Sequence, residues 1–420
     1  MLTHPNPRPY TPDHEAFRAT VRRFVEREII PHAAAWDEAG GFPRALYGKA
    51  AAAGLLGVGF PEEHGGTPAD HFYRLILAEE MGRSGSGGTC ASLMSHTIGL
   101  PPVVAGASPE LKARILPGVI AGEKISALAV TEPGAGSDVA QLATTAKREG
   151  DHYVVNGAKM FITSGMRADW TTVAVRTGGP GAAGVSLLAI ERDTPGFTRT
   201  ELKKMGWWAS DTAELHFDDC RVPAKNLIGA EGQAFPLIMR NFNGERLTLA
   251  ASACGAAIAC LEDAVEWARS RKTFGQPLIG HQVIRHKLVD MVERIEATRA
   301  LLDDLAARLD VEPPSPQPSP RRGEGAALPQ AGEGSSSPSP RSRGEGRGEG
   351  QGLVAQTAMA KNTAARTMQF CADAAVQILG GSGYMRGVRV ERIYREVKVM
   401  MIGGGAEEIL KDLAARQLGF

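Results

Sequence analysis

The sequence predicts an α+β multidomain protein in three parts: an N-terminal α-helical domain (1–123), a middle antiparallel β-domain (124–236) and a C-terminal four-helix-type bundle (237–420). Three observations predict it. Up to about Glu123, apolar residues recur at helical spacing, as in Phe17, Val21, Phe24 and Val25. From about Lys124 to Pro236 the texture changes to short β-rich runs separated by turn clusters. From about Leu237 onward, apolar stripes stepping by threes and fours return.

In the first part Pro31 marks a helix boundary, and Gly65-Gly66 and Pro101-Pro102 punctuate later helices. In the second, strands are expected at Thr172–Val175, Ser186–Ile190 and Glu214–Phe217, with turns at Gly178–Gly184 and Asp193–Gly196. In the third, Leu247, Ala250, Cys254, Ala257, Leu261, Ala264 and Ala268 form one stripe whose small residues allow close helix packing. Leu288, Met291, Ile295, Leu302 and Leu305 form another, and Leu353, Met368, Cys371 and Ile378 a third. One segment breaks the order. Val311–Gly352 is dominated by Pro, Ser, Gly, Arg and Glu, with few apolar residues to bury, and is expected to be a disordered insertion. Such an insertion costs little loop-closure entropy.

At 420 residues the chain is long enough for two or three domains, each with its own core. Lysine plus arginine (47) balance aspartate plus glutamate (47), which argues against a nucleic-acid partner. No apolar run reads as membrane-spanning, and Met1–Pro12 lacks the apolar core of a signal peptide, so a cytoplasmic protein is expected. The cysteines (Cys90, Cys220, Cys254, Cys260, Cys371) show no CxxC or metal-like grouping. Three fall in helical apolar patterns, where a buried thiol is the usual reading. His281 and His286 lie five apart, a poor spacing for shared helical ligands, and neither metal nor disulfide is expected.

The most informative stretch is Ala129–Asp138, which packs glycines, hydroxyls and carboxylates into one turn where backbone N–H groups can approach a ligand. Asp151–Thr163 follows and reads as a hairpin with Asn156-Gly157 as its tight turn. On that reading Phe161 and Thr163, at i and i+2, share a strand face that suits a planar ring with a hydrogen-bonding edge.

These two stretches resemble the flavin-binding middle domain of the acyl-CoA dehydrogenases, and Glu15–Glu28, Arg271–Gly275 and Gln377–Tyr384 are similar to further blocks of that family in the same order. The resemblance implies FAD as cofactor, an acyl-CoA substrate, an electron-transfer flavoprotein as acceptor and a homotetramer or homodimer. It implies oxidation of the thioester to the trans-2-enoyl-CoA, with a carboxylate taking the Cα proton while hydride leaves Cβ for flavin N5. Thr131, Ser137, Phe161 and Thr163 would line the flavin, Ser137 also the CoA chain. Arg271, Phe274 and Gln282 would contact the FAD diphosphate and adenosine, and in relatives such contacts, with those of Gln377, Gly380 and Gly381, cross a subunit interface. Without the resemblance, Phe161 reads as a half-buried strand aromatic and Arg271 as a solvated turn residue.

Many relatives carry the base near the C-terminus, where this chain has Ile402–Ile409 and places Gly404 at the base position. A branch that includes the long-chain and isovaleryl enzymes carries it on the first bundle helix, where Asn241–Leu247 places Glu245, followed by Arg246. Glu245 is therefore the expected base, the alternative being a carboxylate favoured by a helix start. Asn243, Arg246 and the Gly404 backbone N–H would line the substrate site. Glu407 and Glu408 are expected to reinforce a helical first turn. Ala406 and Gln141 depart from the family pattern. An acyl-CoA oxidase, a flavin monooxygenase on this fold and a non-catalytic binding relative are the competing readings.

Overall fold

The computed structural model describes residues 9–311 and 353–420. Eight helices come first: α1 (Pro12–Phe24), α2 (Ala33–Ala39), α3 (Ala45–Ala52), α4 (His71–Arg83), α5 (Gly87–Leu93), α6 (His96–Gly99), α7 (Pro101–Gly106) and α8 (Pro109–Ile120). Their starts are written in the sequence. Thr11 and His14 form a reciprocal capping pair on α1, and Asp70 and Ser108 accept the first-turn N–H groups of α4 and α8. Pro31 sits in a short 3₁₀ turn after α1, and Pro101 opens α7.

The middle strands are β1 (Ser126–Ala129), β2 (Thr145–Glu149), β3 (His152–Thr163), β4 (Trp170–Arg176), β5 (Val185–Glu191), β6 (Phe197–Glu201), β7 (Thr212–Pro223) and β8 (Leu227–Ile228). They form one sheet in the order β6-β7-β3-β2-β4-β5-β8, with β1 beside β4. Most pairs are antiparallel, but β4 meets both β1 and β2 in parallel. The expected hairpin at Asn156-Gly157 is not there. Glu149 pairs with His152, so the turn is Gly150-Asp151, with Gly150 at φ +62°. β3 runs straight through Asn156-Gly157, where a bulge against β7 absorbs the irregularity and the Asn156 side chain bonds Asp219.

The bundle contains α9 (Phe235–Ser270), a small ribbon of β9 (Lys272–Thr273) and β10 (Gln276–Pro277), then α10 (Gln282–Val311), α11 (Val354–Leu379), α12 (Arg389–Ile402) and α13 (Glu407–Leu418). The predicted stripes are its core: Ala250, Cys254, Ala257, Ala264, Met291, Ile295, Met368 and Cys371 are all buried. The expectation for the 311–352 segment lies outside the described residues, apart from Val311, which closes α10.

Two expectations change. The helices before residue 124 do not bury a core of their own. Phe72, Leu75 and Ala78 of α4 join the bundle core, while Val21, Phe24 and Leu46 share a core with Val155, Val173 and Leu215 of the sheet. In addition, α9 is long and apolar enough to cross a membrane by length and composition, with a window of mean hydropathy 1.4. Of that window 67% is buried inside the protein. Its small apolar residues face helices on more than one side, which explains the high hydropathy of a core helix. A Cβ on Gly82 of α4 would overlap Ser252 O, and one on Gly255 of α9 would overlap Glu79 O, so the two backbones touch.

Candidate active site

A cavity of about 450 Å³ opens between α4, α5, α7 and α9. One face of α9 forms a wall through Asn241, Glu245, Leu249, Ser252 and Ala256, residues spaced by threes and fours and therefore stacked along one side. Thr163, at the end of β3, reaches the same cavity. Glu245 keeps some accessible surface there, yet no described residue donates it a hydrogen bond. Desolvation pushes its carboxyl up to about 7 against the opposing pull of Arg246 and Lys361. A carboxylate poised near neutrality, without a partner, on a largely apolar wall has the properties of a general base.

Gly404 lies next to this wall. Arg246 Nε donates to Gly404 O at 3.1 Å, and Arg246 Nη1 donates to Asn243 Oδ1 at 2.7 Å. Asn243 thus holds Arg246 and does not itself line the cavity. Asn241 does, with Nδ2 donating to Ile98 O at 2.8 Å. Gly404 and Gly405 have φ of +67° and +112°, conformations that glycine tolerates best. Glu407 and Glu408 occupy the first turn of α13 as expected, and Glu407 is held well below the usual carboxylate range, at about 2, by hydrogen bonds from Arg366 and Lys411.

The Thr131–Asp138 loop is tied down from beneath. The buried Glu132 carboxylate accepts from Ala143 N (2.6 Å), Thr144 N (3.0 Å) and Lys159 Nζ (2.7 Å), and Lys159 also donates to Val130 O at 3.1 Å. Burial lowers the Lys159 ammonium to about 8, with Glu132 pulling the other way. Sequence reasoning missed this pair, although each partner stood inside a quoted motif. Thr131 is partly buried, and Ser137 is exposed.

Phe161 is not placed by simple strand alternation. It sits in a second bulge of β3, between Lys159 and Ile162, at φ +63° with 65% of its surface exposed. A bulky residue held left-handed with its ring outward is strained, a conformation that persists only where the surrounding structure holds it. The second group of predicted residues lies elsewhere. Phe274 (φ +51°) and Gly275 (φ +81°) turn the β9–β10 ribbon, leaving the Phe274 ring 97% exposed. Arg271 and Gln282 flank it, exposed, and Gln377, Gly380 and Gly381 lie exposed at the end of α11. From Glu245 to Arg271, α9 runs 26 residues, or about 39 Å, which keeps Arg271 away from the cavity, and none of Phe274, Gln282, Gln377, Gly380 and Gly381 lines it.

Sequence models for the N-terminal, middle and C-terminal domains of acyl-CoA dehydrogenases match residues 11–123, 127–220, and 232–327 with 343–419. The chain belongs to the acyl-CoA dehydrogenase family. It is an oxidoreductase of that family. The long-chain specific acyl-CoA dehydrogenase of Sus scrofa mitochondria is 34% identical, over 97% of this chain and 87% of its own length. A putative acyl-CoA dehydrogenase from Mycobacterium smegmatis is 44% identical, with a TM-score of 0.87 over 98% of this chain and 99% of that one. A glutaryl-CoA dehydrogenase from the same organism, solved with FADH2, is 25% identical, with a TM-score of 0.84 over 98% and 95% of the two chains. These acyl-CoA dehydrogenase likenesses run the length of the protein, which agrees with the three-part fold described above.

Proposed function

We propose that this protein is an FAD-dependent dehydrogenase of acyl-CoA thioesters with Glu245 as its base, passing electrons to an electron-transfer flavoprotein. The carrying observation is the Glu245 carboxylate, pushed to about 7 on a cavity wall beside Gly404, a position without a side chain. Glu245 takes the proton from Cα of the bound thioester. The Gly404 backbone N–H donates to the thioester oxygen as charge develops there. Arg246 and Asn243 hold that loop in place.

The residues fit the cofactor. The outward Phe161 ring and the Thr163 hydroxyl stand at one end of β3, above a loop where a Cβ on Gly134 would meet nothing within 4 Å. Thr131, Ser137, Phe161 and Thr163 would hold the isoalloxazine end. FAD bound there supplies the hydride acceptor. Arg271, Phe274, Gln282, Gln377, Gly380 and Gly381 would hold the diphosphate and adenosine of a cofactor in a neighbouring subunit, a reading supported by the roughly 39 Å of helix between Arg271 and Glu245. A homodimer or homotetramer follows from it.

Anaerobic bleaching of the flavin by a panel of acyl-CoAs, with formation of the enoyl-CoA, tests the proposal. No bleaching by any acyl-CoA would sink it. Rapid reoxidation of the bleached flavin by air would move the reading to an oxidase.

A further inference from the structure

Two cations grip adjacent carbonyls in the loop between α12 and α13. Arg246 reaches Gly404 O from α9, and Lys361 Nζ donates to Gly405 O at 2.9 Å from α11. Further along α11, Asn362 Nδ2 donates to Glu407 O at 3.1 Å and Arg366 pairs with the Glu407 carboxylate. Lys361 is 1% exposed. Among the described residues no carboxylate pairs with it directly, although a buried ammonium without a counter-ion costs several kcal/mol. Asn362 and Arg366 already anchor Glu407 by uncharged and exposed contacts. A buried charge beside them is more than anchoring the loop requires.

We propose that Lys361 is a positioning residue for dehydrogenation: its ammonium fixes the Gly404–Gly405 segment beside Glu245 and supplies the positive charge that keeps the Glu245 carboxylate available as a base. The inference rests on the function proposed above. Its ammonium stays with the protein throughout, so no proton or electron passes through it. Burial pushes Glu245 up and Lys361 down, to about 8, and each carries the charge that opposes the other's shift. The other ionisable groups around them are Arg246 and Arg240 on α9, Arg74 on α4, Glu396 on α12 and Glu407 on α13. With Lys361 neutral, desolvation of Glu245 is less opposed and its pKa rises further.

The test compares FAD-loaded Lys361→Met and Lys361→Arg with the wild type, using an acyl-CoA that the wild type oxidises. Lys361→Met is expected to lower kcat about fivefold at pH 7, and to move the rising limb of kcat/KM upward by about one pH unit. Lys361→Arg keeps the charge and is expected to restore the limb to its wild-type position. Should the Met variant fail to fold, Lys361→Gln takes its place, since its amide can still donate to Gly405 O without the charge. An unshifted limb in the uncharged variant overturns the proposal, as does an Arg variant shifted as far as the uncharged one. If the wild type oxidises no acyl-CoA, the functional reading has failed before any variant is compared.

Discussion

A Cβ built on Gly404 would lie 2.7 Å from Cδ1 of Leu249, one turn along α9 from the proposed base. A side chain at 404 would therefore need the flexible end of Leu249 to turn aside and the backbone to hold a left-handed conformation. Position 404 combines φ +67° with a neighbour already in contact. Moving the carboxylate, by Glu245→Gly with Gly404→Glu, is expected to leave turnover near background. Adding Leu249→Ala removes the collision but not the backbone strain, which costs about 1–2 kcal/mol. Enoyl-CoA formation by the double and triple variants checks this ordering, and appreciable activity in the double variant contradicts it.

Glu245→Gln is expected to lower kcat by about 10²–10⁴, the usual contribution of a general base, while FAD content is unchanged. Single-turnover flavin bleaching together with the visible spectrum of the resting protein separates loss of the base from loss of cofactor.

The pH dependence follows from the same group. A base must be deprotonated, so kcat/KM is expected to rise with pH through about 7 and then level off. Stability runs the other way. The folded pKa lies above the unfolded one, so the folded state binds more protons between about 4.5 and 7, and this group's contribution weakens as pH rises through that window. Glu245→Gln is accordingly expected to be more stable than the wild type at pH 8, by about 1–3 kcal/mol after allowance for the partial exposure of the carboxylate. Denaturant melts at pH 5 and pH 8 measure it, and the difference is expected at pH 8 only.

Lys159→Met leaves the Glu132 carboxylate buried without its cation, which costs about 3–5 kcal/mol. Because Glu132 ties Ala143 and Thr144 beneath the 131–138 loop, flavin retention is expected to fall together with the melting temperature. Lys159→Met with Glu132→Gln is expected to recover part of the stability. An unchanged melting temperature in the single variant would contradict the role given to this pair.

Phe274→Gly relieves a left-handed bulky residue and is expected to be neutral or stabilising by up to about 1 kcal/mol. If the exposed ring contacts the cofactor of another subunit, the same variant releases FAD on dilution or gel filtration. Unchanged FAD retention would return Phe274 to the status of an exposed turn residue.

The helices were legible because their signals are local. The stripes ending at Ala268, Leu305 and Ile378, the turn at Pro31 and the helix start at Pro101 each depend on a few neighbouring residues. Where the sequence misled, a distant partner decided. Asn156-Gly157 has the composition of a turn, but β7 lies alongside and Asp219 satisfies the asparagine, so the strand continues through a bulge. Period-two counting failed at Phe161 for the same reason. The base proposed at Glu245 was read from that residue together with Gly404, yet nothing near Glu245 in sequence announces Lys361, which arrives from more than a hundred residues further along the chain. The Glu132–Lys159 pair was hidden differently: charged residues in a polar motif look like ligand contacts, and only burial shows them to be beneath the loop.

The touching backbones of α4 and α9 have a mechanical consequence. With no side chain between Gly82 and Ser252, or between Gly255 and Glu79, the two helices form a seated joint that cannot tighten further. On the α4–α9 side the bore of the cavity is then adjusted through the side chains that project into it, such as Leu249, Ser252 and Ala256. A larger residue at position 255, which does not line the cavity, would act as a wedge instead: it would lift α9 as a rod and carry Glu245 out of line with Gly404, detuning the chemistry from outside the cavity.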